Sequence, residues 1–307
     1  MKSKQPDLGG LFDSLQARFG ARARANEPLA PHVTLRLGCP ADVWFPARSA
    51  GELAEAASLA RQWDAPVFVL GSGANLLIGP AGIRGLVIQN NAATVQFAAD
   101  RVTAESGTAL PRLANQCAQR GLSGLEWAAG VPGTVGGAVV NNAGAFGSSI
   151  ADCLIRAQLL AADGRQIWRP VEWFEYGYRA SKLKRAGPDK ALVLQAELAV
   201  SPAPAAEVTA RMQTCTRRRK ASQPPGATAG SMFKNPPGDF AGRLIEAAGL
   251  KGYRIGGAQI SPRHANFFIN HGNATAADVL ALADAAQQAV FDKFGIRLEL
   301  EIEVVNP

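Results

Sequence analysis

Apolar residues recur along this chain with two periods, and the switches between them lay out its elements. Over residues 49–64, Leu53, Ala56, Ala57, Ala60 and Trp63 share one face at helical spacing, with Ser49 placed to cap the helix. A second helical stretch, 110–121, ends at Gly121, a residue suited to the left-handed position after a helix. Continuous or alternating apolar runs predict strands at 43–45, 67–70, 86–89, 94–98, 101–107 and 191–200. Between 154 and 170 two alternating runs flank Asp163-Gly164, a hairpin-turn pair. Towards the C-terminus the pattern gives helices over 208–220, 240–249 and 275–293, and strands at 257–260, 266–269 and 298–305. Residues 29–46 read as two strands around a turn at Gly38–Pro40. Residues 1–25 read as a short helix or a loose tail.

Strands with helices inserted among them make this an α+β chain. We divide it into an N-terminal tail (1–25), a small unit (26–90), a second unit (91–200) and a smaller α+β unit (201–307). The proline- and alanine-rich run 201–207 marks the last boundary.

Two stretches do not fit a plain structural reading. PVFVLGSGANLLI, residues 66–78, runs from a buried strand into glycine, but Leu76 stands where a dinucleotide fingerprint needs a third glycine. GLSGLEWAAGVPGTVGGAVVNNAGAFG, 121–147, is dense in glycine, yet too apolar for a solvated loop. Glycine costs backbone entropy, and that cost is justified where backbone must approach a ligand closely or take a positive φ. The N–H groups around Gly130, Gly133, Thr134, Gly136 and Gly137 form a candidate anion-binding concavity, and 134–142 a short helix opening on it.

Composition narrows the class. With 47% apolar and 19% charged residues, the 307-residue chain is a globular protein. The net charge of +7 fits a nucleotide substrate better than nucleic acid, since the basic clusters 18–24 and 217–220 are short and lack interleaved aromatics. Cys39, Cys117, Cys153 and Cys215 are dispersed and form no zinc spacing, and the three histidines do not cluster, so no metal is expected. Dispersed cysteines and the lack of a signal-peptide or membrane-length apolar run imply a cytoplasmic protein with no membrane partner. We expect a monomer.

GSGANLL followed by the long glycine stretch resembles the flavin-binding half of the UDP-N-acetylenolpyruvylglucosamine reductases (UDP-N-acetylmuramate dehydrogenases). These are flavoproteins of the vanillyl-alcohol oxidase (PCMH) type. YGYRAS (176–181), AGSMFKNP (229–236), AGRLIEAAGLKG (241–252), GGAQISPRHANFFIN (256–270) and LELEIEVV (298–305) continue the resemblance in order. It implies a two-part FAD-binding domain followed by a smaller α+β substrate-binding domain. It also implies noncovalent FAD, NADPH as hydride donor, and reduction of an enolpyruvyl UDP-sugar to its lactyl ether for peptidoglycan synthesis. The short interval between Tyr178 and Ser231 is that of the family's short form, which lacks an extra substrate-covering segment. Cys39 departs from the family, which has glycine there.

Carried over position by position, the resemblance gives roles. Arg179 would hold the substrate carboxylate and neutralise the enolate, Glu301 would be its carboxyl partner, and Ser231 would deliver the proton. Flavin would be held by Gly71, Ser72, Gly73, Ala74, Asn75 and Leu76 from the first stretch. The second would add Gly130, Pro132, Gly133, Thr134, Gly136 and Gly137, then Asn141, Ala143 and Gly144. Arg219, Lys220, Lys234, Asn235, Lys251 and His264 match substrate-facing positions, and Asn266 is a weaker candidate. Two other readings compete. One is another FAD-dependent oxidase of this fold acting on an alcohol or sugar lactone, which leaves AGSMFKNP and LELEIEVV without a role. The other is a basic nucleic-acid-binding module, which leaves the glycine stretches without one.

Overall fold

The computed structural model of the chain describes residues 6–186 and 191–306. Two compact units divide it, and neither is continuous in sequence. The first takes the chain up to Ala25, then Val43–Gly71 and Gly85–Arg219; the second takes Asn26–Asp42, Ser72–Arg84 and everything from Lys220 onward.

In the first unit, helix α1 (Leu8–Phe19) is capped by Asp7, whose carboxylate accepts from Gly10 N. Helix α2 (Ala50–Gln62) starts at Ser49, whose side chain accepts from Glu52 N, as its sequence predicts. The apolar face of α2, with Leu53, Ala56, Ala57 and Ala60, joins Leu11, Leu15, Phe45, Leu86 and Ile88 in one buried cluster. The strands Arg24–Glu27, Ala41–Ala47, Ile83–Asn90 and Val67–Leu70 form a sheet in that order, the last two running parallel. A five-stranded antiparallel sheet follows: Gln166–Pro170, Leu154–Leu160, Leu192–Ala199, Arg101–Glu105 and Val95–Phe97. Its core also takes in helices α3 (Leu110–Gln119) and α4 (Val135–Asn141). Gly121 follows α3 at φ +65°, the position its sequence predicts. Helix α5 (Lys182–Arg185) is a single turn, and α6 (Ala205–Ser222) buries only Val208. Cys117 is a core thiol, pushed up to about 11 by burial.

The second unit packs helices α7 (Ala241–Ala247) and α8 (Ala276–Phe294) with the three-stranded sheet Arg254–Ile255, Ala258–Ile260 and Phe268–Asn270. Thr275 and Asp278 close a capping box on α8, and Gly295 ends it at φ +69°. The mid-chain strand Leu76–Ile78 pairs in parallel with Glu303–Val305, and Leu35 and Leu77 join this unit's core.

Besides the last strand, expected over 298–305 and formed only at Glu303–Val305, two sequence expectations differ from this architecture. Residues 29–46 hold one short turn, Ala30–His32, and one strand rather than two. The backbone before that strand is held by side chains instead of a ladder: Asn270 Nδ2 donates to Leu35 O at 3.0 Å, and Thr34 Oγ1 donates to Thr228 O at 2.7 Å. The run 201–207 is also not where the units divide. Ser201–Pro202 pairs with Leu122–Ser123, Ala203 N donates to Gly121 O, and the division between units falls after Arg219, within α6.

Candidate active site

Thr134 caps α4, its hydroxyl accepting from Gly137 N at 3.4 Å. Val135 N donates to Thr108 O at 2.9 Å and Gly136 N to Ser106 O at 2.8 Å. Two donors expected to face an anion, those of Gly136 and Gly137, are therefore engaged within the protein. Gly136 is a packing glycine: a Cβ there would lie 2.9 Å from Ser106 Cβ. So is Gly71, where a Cβ would meet Thr134 Oγ1 at 2.7 Å. Gly73, at φ +61°, is a packing glycine too: a Cβ there would lie 2.6 Å from Val33 Cα, and one on Gly144 would lie 2.6 Å from Ser148 O. Leu76 is buried in the strand that pairs with Glu303. Ser72 is exposed, and Ala74 and Asn75 are half-buried beside it.

The open positions are fewer. Gly130 takes φ +75°, with only the flexible Arg219 side chain, Cδ at 3.3 Å, near an added Cβ; Gly133 takes φ +144° with nothing nearer to an added Cβ than Leu110 Cδ1 at 3.9 Å. Pro132 and Gly137 are exposed, and a Cβ on Gly137 would meet only Thr134 Oγ1 at 3.6 Å. An edge of bare backbone that side chains would fill fits close approach by a phosphate-bearing flavin. Gly137→Ala is accordingly expected to preserve the apo-protein's melting temperature or raise it, because alanine in a helix is favoured by roughly 0.5–1 kcal/mol. It should still weaken flavin binding by about tenfold or more. Unchanged affinity in a fluorescence titration would remove Gly137 from the cradle.

The other end of α4 holds the candidate catalytic arginine. Tyr176 Oη donates to Val139 O at 2.8 Å, and Ser181 Oγ donates to Val140 O. Arg179 Nη2 donates to Gly144 O at 2.8 Å and Nη1 to Asn142 O at 3.4 Å. Asn142, left-handed at φ 45°, returns a bond from Nδ2 to Gly177 O at 2.9 Å. The carbonyls that α4 cannot satisfy internally thereby clamp the whole YGYRAS segment. Asn141 donates to Gly137 O within the helix, and Ala143 N to Ala138 O. Arg219, near the end of α6, has its pKa lowered by burial and then by the charge of Arg179. Two guanidiniums near enough to repel give this part of the first unit a positive charge.

The second unit assembles the other candidates. Met232 N donates to Asn266 O at 2.7 Å, Glu301 N to Met232 O at 2.8 Å and Lys234 N to Glu299 O at 2.9 Å. Residues 231–234 thus lie between two extended partners, and Ser231 and Glu301 fall on neighbouring segments. Asn75 joins them: its Nδ2 donates to Glu301 O at 3.2 Å, and its own carbonyl accepts from Glu303 N at 2.9 Å. A residue of the first glycine stretch is therefore bonded to the backbone of the candidate acid. Ser231 lines a cleft of about 410 Å³ with Asn235, Phe240, Arg243, Arg263 and His264.

Burial, and then the charge of Lys251, lower the pKa of His264, favouring its neutral form. Its Nδ1 accepts from Asn266 N at 3.2 Å, which leaves Nε2 as the protonated nitrogen. Lys234 pairs with Glu299 at 3.0 Å and Lys251 with Glu246 at 2.8 Å. Exposed pairs of this kind contribute only about 0–1 kcal/mol, so a phosphate can displace either carboxylate. Asn235 Oδ1 accepts from Ala241 N at the start of α7, and Lys220 is exposed. Asn266 is structural: its side chain accepts from Phe233 N at 2.9 Å and donates to Phe233 O at 2.8 Å. Asn142, Tyr176 and Ser181 were not singled out from the sequence; the Asn141-Asn142 doublet after a glycine-rich helix was the available signal, since Asn tolerates the left-handed conformation.

Residues 41–169 match the family profile described as "FAD binding domain". With the relatives reported below, this defines the protein as a flavin-dependent oxidoreductase. Residues 222–305 match the profile "UDP-N-acetylenolpyruvoylglucosamine reductase, C-terminal domain". The chain belongs to the UDP-N-acetylenolpyruvoylglucosamine reductase family. It is 45% identical to the member from Moorella thermoacetica, over 97% of this chain and 98% of that one. It is 39% identical to the member from Bacillus subtilis, over 96% and 98%. The crystal structure of the reductase from Thermus caldophilus superposes with a TM-score of 0.78 at 37% identity, covering 92% of this chain and 98% of that chain. No helix among the described residues is long and apolar enough to cross a membrane.

Proposed function

We propose that this protein reduces the enolpyruvyl group of UDP-N-acetylglucosamine-enolpyruvate to the lactyl ether, giving UDP-N-acetylmuramate for peptidoglycan synthesis. The observation that carries this is the strand-like bracketing of Ser231 beside Glu301, with Asn75 of the first glycine stretch bonded to the same backbone. When bound, FAD supplies hydride transfer, taking hydride from NADPH and delivering it to the substrate alkene.

The protein's own groups do the rest. Gly130, Gly133 and Gly137 admit the cofactor's phosphates to bare backbone. Arg179 holds the substrate carboxylate and neutralises charge that builds next to it as hydride arrives at the neighbouring carbon. Glu301 supports that enolate, and the Ser231 hydroxyl delivers a proton to the carbanion carbon. Arg219, Lys220, Lys234 and Lys251 attract the diphosphate, and Asn235 and His264 offer neutral hydrogen bonds. The flavin is held noncovalently, since no histidine lies between residues 33 and 263, where both glycine stretches fall.

An anaerobic half-reaction tests the reading. NADPH is expected to bleach the bound flavin, and the enolpyruvyl nucleotide to restore its colour with formation of the lactyl ether. Failure of the nucleotide to reoxidise the flavin, with an alcohol or lactone reducing it instead, would assign the protein to the oxidases.

A further inference from the structure

The strand Ile83–Asn90 ends in two amides, and consecutive strand residues point to opposite sides. Each amide reaches towards a different glycine stretch. Gln89 donates from Nε2 to Leu70 O at 3.3 Å and to Gly71 O at 2.6 Å, where the first stretch begins. Its Oε1 is buried with no hydrogen-bond partner, so the two donors alone set the orientation of the amide. Asn90, buried, donates from Nδ2 to Ser106 Oγ at 2.8 Å and accepts at Oδ1 from Ala92 N at 3.1 Å. Ser106 in turn accepts the N–H of Gly136 at its carbonyl, 2.8 Å away, and packs against the bare Cα of that glycine. Gly71 and Thr134 bring the two stretches themselves into contact.

We infer that Gln89 and Asn90 are positioning residues that set the spacing of Gly71, where the first flavin-binding stretch begins, from Gly136 of the second. The inference rests on the flavin reading above. Its chemistry is asymmetric between the two residues. Both partners of Gln89 are carbonyls, which can only accept; the amide offers two donors, whereas a glutamic acid offers one when protonated and none when ionised. The acceptor for Asn90 Nδ2 is a hydroxyl, which can reverse its role and donate to a carboxylate, and the Ala92 N–H can still be accepted by the other carboxylate oxygen. A residue that merely filled space would show no such asymmetry.

The test titrates FAD into apo-protein by flavin fluorescence, with thermal melting alongside. Gln89→Glu is expected to raise the FAD Kd by about tenfold or more. Gln89→Met, which keeps the shape and removes both donors without adding charge, should do the same and decides the matter if the glutamate variant does not fold. Asn90→Leu should weaken FAD to a similar extent, and Asn90→Asp should recover most of that loss. Wild-type affinity in Gln89→Met, or equal losses in Asn90→Leu and Asn90→Asp, would overturn the inference. Wild-type protein that binds no FAD would instead overturn the flavin reading, and this inference with it.

Discussion

Ser231→Ala is expected to leave reduction of the flavin by NADPH nearly intact while slowing reoxidation by the enolpyruvyl substrate by roughly 10²–10⁴-fold, the usual contribution of one positioned general acid. The two half-reactions share a flavin but not this hydroxyl. The first moves hydride onto the cofactor and needs no proton donor at the substrate alkene; the second needs hydride on one carbon and a proton on the next. The surroundings make the substitution clean. The segment carrying Ser231 is bracketed by Asn266–Phe267 on one side and by Glu301 on the other through backbone bonds, which a change of side chain does not touch. The melting temperature should therefore hold. Ser231→Cys should keep part of the activity, because a thiol of similar size is the stronger acid. Rapid-mixing absorbance measurements of each half separate the outcomes. Equal slowing of both would make Ser231 a residue that shapes the cleft, and no slowing would leave AGSMFKNP a structural turn.

Arg179→Lys is the second large effect, with kcat expected to fall by about 10²–10³-fold, as when one donor to a developing oxyanion is removed. Lysine keeps the charge but loses the planar fork that grips a carboxylate with two parallel bonds. It also cannot bond Asn142 O and Gly144 O in the way the guanidinium does. Arg179 sits at φ +52°, a conformation costing a non-glycine residue of order 1 kcal/mol, within the turn closed by Gly177 and Ala180. The clamp from α4 holds it there. Steady-state kinetics distinguish the roles: a fall in kcat places Arg179 at the enolate, whereas a rise in KM alone would make it only a ground-state anchor for the carboxylate.

Much of this molecule follows from local pattern. Helix α2 with its Ser49 cap, α3 ending before Gly121, and the Asp163-Gly164 hairpin depend on spacing and turn chemistry within a few residues. The short helix after Thr134 is of the same kind, since its cap lies three residues from the N–H it satisfies. Ser231, Glu301 and Arg179 are legible only through the resemblance of whole motifs, since the residues around each fit equally a turn, a solvated strand edge and a basic surface loop, respectively.

The roles of individual glycines and the course of the chain between units were decided by tertiary structure. In sequence, Gly136 and Gly137 are equivalent: both lack a Cβ. Only packing shows that the first is bare because Ser106 leaves no room, while the second is exposed with space before it. The first glycine stretch likewise leaves Gly71 in one unit and Ser72 in the other, because Leu77 and Ile78 find their strand partner at Val304 and Val305, far along the chain. Gln89 and Asn90 carry no signal of their own in the sequence, and their bonds to Gly71 and Ser106 exist only once distant segments meet. Residue type and period determine what a short segment does with its own backbone, because those interactions are local. Which bare backbone is left for a ligand depends on what the rest of the chain has already filled.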